Sequence, residues 1–396
     1  MKKLPSEMLE AMRLTRSGRL AEATALIQRL LSGEHQQPAR PSEQQAKLVP
    51  PILDLVAEVV TGEVSESGSS NAETEPTHGR RAEPAEQKPH HIDFRRTGEF
   101  GRTSRKGAAR DLAPARGHYL EEKFSNGAGT RSYKLYIPSG ANLGPRPLIV
   151  MLHGCTQSAD DFAAGTRMNF AAEDNDCFVT YPEQVPGANP SKCWNWFQTD
   201  HQVRDRGEPS IVAGIAKHIM GRHNIDPRRV YVAGLSAGGA AAAVVAQAYP
   251  DVFAALGVHS GLACGIARDL PSAMVAMQGR HSPYAPGQSK PLATIIFHGD
   301  QDKTVHPRNA ADVAKGAAAG EAYEHEIEQG SVPLGRRFTR SLLRDRSGKT
   351  IIEDWVIHGA GHAWSGGSKA GSFTDPLGPD ATKEMLRFFL EHERSL

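Results

Sequence analysis

A catalytic nucleophile must be both exposed and activated, and the stretch VYVAGLSAGGAA at 230–241 has residues suited to both demands. β-formers run into Gly234-Leu235-Ser236-Ala237-Gly238, a G-x-S-x-G pentapeptide, and an alanine-rich segment follows. A strand that turns abruptly into a helix lifts the serine hydroxyl above the sheet, at a helix end that favours developing negative charge. Glycines flank the serine because a Cβ there would collide with the neighbouring strand and helix. A serine hydroxyl also needs a base, and the base needs an orienting carboxylate. In sites of this kind the chain order is Ser, then Asp or Glu, then His. Two downstream stretches supply them, FHGDQDKTVHP (297–307) and VIHGAGHAWSGG (356–367), and each contains a choice. Asp300 directly follows a strand, whereas Asp302 lies further into the loop and can reach a neighbouring one. His358 ends a strand, whereas His362 sits beyond Gly359 and Gly361 on a bend. The reading favours Asp302 and His362, with Asp300 as a brace or cap. His259 and His306 are read as ordinary histidines.

A tetrahedral oxyanion needs two backbone N–H donors. One is expected from Ala237, directly after the serine. The other is expected from Cys155, in His153-Gly154-Cys155-Thr156-Gln157 after the strand PLIVMLHG (147–154). This is where lipases carry an HG-type loop. Such chemistry calls for no metal and no organic cofactor. The cysteines at 155, 177, 193 and 264 are dispersed, with no CxxC pair, and do not spell a metal site.

These residues must be positioned by a sheet. KLYIP (134–138) reads as part of an opening antiparallel unit, and CFVTYPE (177–183), AALGVHSG (254–261), ATIIFHGD (293–300) and TIIEDWVIHG (350–359) read as further strands. IVAGIAKHIM (211–220) and ATKEMLRFFLEH (381–392) carry helical spacing. Strands alternating with helices imply a mainly parallel sheet covered on both faces, with its chemistry at the carboxyl ends of the strands.

The 396 residues divide by composition into three regions. Residues 1–60 are expected to form a small helical segment: two short helices over 4–31 and a third over 52–60. The stripe of Leu20, Ala23, Leu26, Ile27, Leu30 and Leu31 cannot bury itself and calls for a partner, such as a polyester granule surface or another protein. Residues 61–115 are rich in Gly, Ser, Glu, Pro, Arg and His and read as a disordered linker. Residues 116–396 read as the catalytic domain. A net charge of +1 gives no reason to expect nucleic acid as a partner, and without a run of 18 apolar residues no membrane span is expected. Glu7, Glu10 and Arg13 interrupt any apolar leader, so the expected location is cytoplasmic and the default state of the cysteines is four thiols. A disulfide is the alternative for an exported protein.

Taken together, HGCTQSADDFA (153–163), YPEQ (181–184), CWNWF (193–197), GLSAGG (234–239), FHGDQDKTVHP and GHAWSGG resemble the poly(3-hydroxybutyrate) depolymerase family of serine esterases, relatives of feruloyl and acetylxylan esterases. The resemblance spans about 130–395. It implies an α/β-hydrolase fold, triad roles for Ser236, Asp302 and His362, and a substrate cleft lined by Trp194, Trp196 and Trp364. The expected reaction is hydrolysis of hydroxyalkanoate polymer or oligomer esters through an acyl-enzyme. The alternative is a feruloyl or acetylxylan esterase acting on carbohydrate esters. A remoter one is a non-catalytic hydrolase-like binding protein. The missing leader, and a chain that ends just after its closing helix, favour short oligomers, intracellular polymer or another small ester.

Overall fold

The computed structural model describes residues 112–284 and 291–395. The helices expected over 4–31 and 52–60 lie outside the described residues, as does all but the end of the expected linker. Residues 112–115, expected to be linker, are part of the folded unit. Leu112 and Ala113 pack against the core, and Leu112 O accepts a hydrogen bond from Asn169 Nδ2 at 2.7 Å.

Ten strands form one sheet in the order β1-β2-β4-β3-β5-β6-β7-β10-β9-β8. The central six are β4 (Phe178–Pro182), β3 (Arg146–Leu152), β5 (Ile225–Leu235), β6 (Ala255–His259), β7 (Ala293–Gly299) and β10 (Thr350–Ile357). They run parallel throughout. An antiparallel hairpin closes each edge: β1 (His118–Asn126) with β2 (Gly129–Ile137), and β8 (Glu324–Ser331) with β9 (Arg337–Arg344). The first was expected in part. The second was not, because its outer strand EHEIEQGS is almost wholly exposed and carries no apolar alternation. Charges along an edge strand discourage pairing with other chains.

Alternation along the central strands supplies two cores. Leu148, Val150 and Leu152 of β3 face one side, and Ile149 and Met151 face the other. In β5, Val230 and Val232 join the first side, and Tyr231, Ala233 and Leu235 the second. The first side is covered by α3 (Gly207–Arg222), α4 (Ala237–Ala248) and α6 (Arg308–Ala318); the second by α1 (Ala159–Thr166), α2 (Met168–Asp174) and α7 (Ala381–Leu390). A further helix, α5 (Leu270–Met277), follows β6. The small side chains of α4, AGGAAAAVVAQA, let that helix lie close against the sheet. α1 and α7 start on side-chain caps from Ser158 and Asp380. No described helix is long and apolar enough to cross a membrane.

Candidate active site

Ser236 caps the N-terminus of α4 with φ 58° and ψ −122°, a strained conformation for a residue with a Cβ. Two glycines make it possible. A Cβ on Gly238 would strike Leu152 O and His153 O, and one on Gly234 would strike the Gly238 backbone and Leu152 O. Ser236 N donates to His259 O at 2.9 Å, which ties the turn to β6. The Ser236 side chain has no hydrogen-bond partner among the described residues. Catalytic contacts are often loose in unliganded sites.

The two residue choices resolve into two separate pairs. His362 Nδ1 lies 2.7 Å from Asp302 Oδ2, and the Asp302 side chain is fully buried. Asp302 Oδ1 accepts from Thr304 N at 2.8 Å and Val305 N at 2.9 Å, which fixes the plane of the carboxylate. Burial alone would raise the Asp302 carboxyl, but donors from His298 and His362 hold it well below the usual carboxylate range. Asp302 is therefore ionised at neutral pH and keeps Nδ1 of His362 as the donor, leaving Nε2 free to accept a proton. Asp300 instead pairs with His358, Oδ2 to Nδ1 at 3.0 Å, and accepts from Gly359 N at 2.7 Å. Thr339 Oγ1 lies 2.9 Å from His358 Nε2. This second pair laces the loop after β7 to the loop after β10, the bracing role expected of Asp300.

The loop after β3 lies beside the serine: a Cβ on Gly154 would sit 3.6 Å from Ser236 Cβ. Its conformation is held from several directions. Gln157 Oε1 accepts from Gly154 N at 2.9 Å, and Thr156 N donates to Ser191 O at 2.7 Å. Gln184 N donates to His153 Nε2 at 3.0 Å, so His153 Nδ1 carries the proton and donates to Gly154 O at 2.7 Å. Burial pushes the His153 imidazole down to about 4, so it stays neutral in this role. The N–H groups of Cys155 and Ala237 meet no acceptor among the described residues.

Cys155 and Cys193 form a disulfide, with Cα atoms 4.2 Å apart. This corrects the default expectation of four thiols. The bond joins the β3 loop to the 184–196 segment, which Trp194 Nε1 also ties down by donating to His153 O at 3.1 Å. Glu208, on the first turn of α3, gathers the same segment by accepting from Gln184 Nε2, Asn195 N and Asn195 Nδ2. Cys177 and Cys264 remain thiols, pushed up to about 12 by burial.

The tryptophans expected to line the cleft are packing elements here. Trp194 and Trp364 are fully buried, and Trp196 is nearly so. Trp364 stacks on His259, makes a T-shaped contact with Phe162 and donates to Thr382 Oγ1 at 3.0 Å, so its ring and its polar tip are both engaged in packing. His259 accepts from Ser365 N at 2.9 Å and is held neutral by burial, as expected of a core histidine. A cavity of about 540 Å³ opens at the amino ends of β6, β7 and β10, between Phe253, Leu256, Ala317 and Ile351; Ser236, Asp302 and His362 do not line it.

Comparison with known proteins places this geometry in a lineage. The sequence model of the family described as "Esterase PHB depolymerase" matches residues 131–317. Poly(3-hydroxyalkanoate) depolymerase C of Paucimonas lemoignei is 30% identical over 254 residues, which cover 60% of this chain and 60% of the relative. The chain thus spans less than two thirds of that relative's length. Feruloyl esterase B of Thermothelomyces thermophilus is 30% identical over 246 residues, covering 58% of this chain and 82% of the relative. Among solved structures, an acetyl xylan esterase from Aspergillus awamori superposes with a TM-score of 0.55 at 18% identity, over 69% of this chain and all of that one. The likeness supports the α/β-hydrolase fold. With the serine turn and the β3 loop inside the matched residues 131–317, the chain belongs to the PHB depolymerase family of esterases.

Proposed function

We propose that the protein is a serine carboxylic ester hydrolase acting through an acyl-enzyme. Ser236 Oγ attacks the ester carbonyl while His362 Nε2 takes its proton. Asp302 holds the Nδ1–H tautomer and stabilises the imidazolium that forms. The N–H groups of Cys155 and Ala237 receive the oxyanion, at a helix N-terminus whose dipole favours it. His362 then protonates the leaving alcohol, and water repeats the sequence to release the acid. The observation that carries this reading is the buried 2.7 Å Asp302–His362 bond on the strand-end edge where β5 delivers a strained serine.

The proposed substrates are hydroxyalkanoate esters, polymer or oligomer, in keeping with the depolymerase relative. A feruloyl or acetylxylan ester is the second reading, favoured by the larger share of the feruloyl esterases' own length that the chain covers. Turnover of hydroxybutyrate oligomers, feruloyl esters and acetylated xylan by the purified protein, side by side, separates the two. A chain inactive on all three would sink the esterase reading.

The expected cytoplasmic location requires Cys155 and Cys193 to survive as thiols, whereas their disulfide suits an oxidising compartment. Alkylation in an acid-quenched lysate distinguishes these. A granule or protein partner for residues 1–60 rests on their apolar stripe alone, and granule pelleting tests it.

A further inference from the structure

His298 is the penultimate residue of β7, four residues before Asp302, and its side chain is buried. Its Nε2 lies 2.8 Å from Val305 O and 3.4 Å from Asp302 Oδ2. A carbonyl oxygen only accepts, so Nε2 carries a proton whatever the charge of the ring. That N–H is shared towards the same oxygen that accepts from His362 Nδ1. Together with the Thr304 and Val305 N–H groups on Oδ1, the Asp302 carboxylate is thus surrounded by donors. On the other side of the ring, His298 Nδ1 is buried without a partner among the described residues, and so is Asp354 Oδ1. The β7–β10 register pairs Ile296 with Asp354 and His298 with Val356. Asp354 and His298 therefore share a face of the sheet, one side-chain step apart.

We propose that His298 is a positioning residue for the Asp302–His362 pair, and that Asp354 acts on that pair through His298. The inference rests on the esterase reading above. The shared N–H stops the Asp302 carboxylate from rotating away from His362. It also draws charge off Oδ2. A more basic carboxylate would hold His362 as imidazolium in the resting enzyme and remove the base. Asp354 is raised to about 6 by burial, with His298 pulling the other way, so it changes charge near the working range. The other charged groups near this face are already engaged. On α6, Asp312 faces His281 at 2.8 Å, Lys315 donates to Tyr284 O and Arg308 to Gly279 O. His259 of β6 is buried and neutral.

The test compares wild type, His298→Phe, His298→Gln, Asp354→Asn and the double variant His298→Phe with Asp354→Asn on a soluble p-nitrophenyl ester. Phe keeps ring volume without the N–H, and Gln returns an N–H near the place of Nε2. His298→Phe should lower kcat about 10- to 100-fold, as for a lost hydrogen bond to a charged group, with KM almost unchanged. The acid limb of its kcat/KM profile should move to higher pH. His298→Gln should restore most of kcat. Asp354→Asn should alter kcat when His298 is present and leave it unaltered in the His298→Phe background. Wild-type kcat and acid limb in His298→Phe would overturn the proposal. So would equal loss in the Phe and Gln variants, or additive losses in the double variant. An inactive wild type would instead overturn the esterase reading itself.

Discussion

Replacing Asp302 by Asn tests the base and its orienting carboxylate at a single atom. Oδ1 accepts from two backbone N–H groups at 2.8 and 2.9 Å, so an Asn side chain must place its amide oxygen there. Its NH₂ is then forced into the position of Oδ2, which faces His362 Nδ1 at 2.7 Å. Two donors cannot face each other, so His362 shifts its proton to Nε2, the atom that must accept from Ser236. The expected loss is about 10⁴-fold in turnover, the scale seen when a triad histidine is held in the wrong tautomer. Asp300→Asn is the matched control. Its partners are His358 and Gly359 N, at a pair about one-third exposed, and it does not touch His362. It should cost less than about tenfold, as for a partly exposed bracing contact. The assay is kcat and KM for both variants on one soluble ester, with circular dichroism to show that each is folded. A larger loss for Asp300→Asn than for Asp302→Asn would refute the reasoning. So would an Asp302→Asn enzyme within tenfold of wild type.

Three further outcomes are expected. Asp354 Oδ1 is buried, and desolvation raises the carboxyl to about 6, against the opposing pull of His298. Its ionisation therefore costs native stability as pH rises from about 4 to 6, fully above that range. Asp354→Asn should raise urea stability by about 3 kcal/mol at pH 8 and by almost nothing at pH 3.5; a pH-independent difference would contradict this. Replacing Cys155 and Cys193 by Ser opens a loop with a sequence separation of 38, which the chain-entropy account values at about 4 kcal/mol of stability. Denaturant midpoints at constant m test it, and a loss below 1 kcal/mol would show that hydrogen bonds alone hold the β3 loop. A chain beginning just before Leu112 should fold and turn over a soluble ester near the full rate, whereas one beginning at 116 should be destabilised by losing the Leu112 and Ala113 packing. Equal melting temperatures for the two would place the boundary where the sequence reading put it.

Where local sterics decide the outcome, the sequence was legible. GLSAGG has few conformations open to it between a strand and a helix, and the collisions at Gly234 and Gly238 are the ones anticipated. The parallel order of the central strands follows from their alternation with helices. Reach alone did not separate Asp302 and His362 from Asp300 and His358, because both carboxylates cross to the loop after β10; the two pairs differ in burial, which only the fold shows. Features that depend on distant chain segments meeting were not legible. The separation of Cys155 from Cys193 says nothing about the backbone contacts that bring them together. Trp194 and Trp364 were assigned to a cleft by resemblance, whereas their burial is set by His153, His259, Phe162 and Thr382, from separate parts of the chain. The β8–β9 hairpin was hidden because an exposed edge strand has no apolar period to read. His298 looked like one more histidine in FHGDQD, and only the fold of the loop turns its ring towards Asp302.

The central claim is that Ser236 carries the acyl group. Intact-mass spectrometry of the full-length protein, acid-quenched during turnover of a p-nitrophenyl ester and followed by peptide mapping, tests it directly. The account expects a single acyl adduct on the peptide bearing Ser236. It also expects Ser236→Ala to show no adduct and to fall by several orders of magnitude, to a residual about 10³-fold over water. An adduct on Cys264 or elsewhere, or near-wild-type turnover by folded Ser236→Ala, would contradict it.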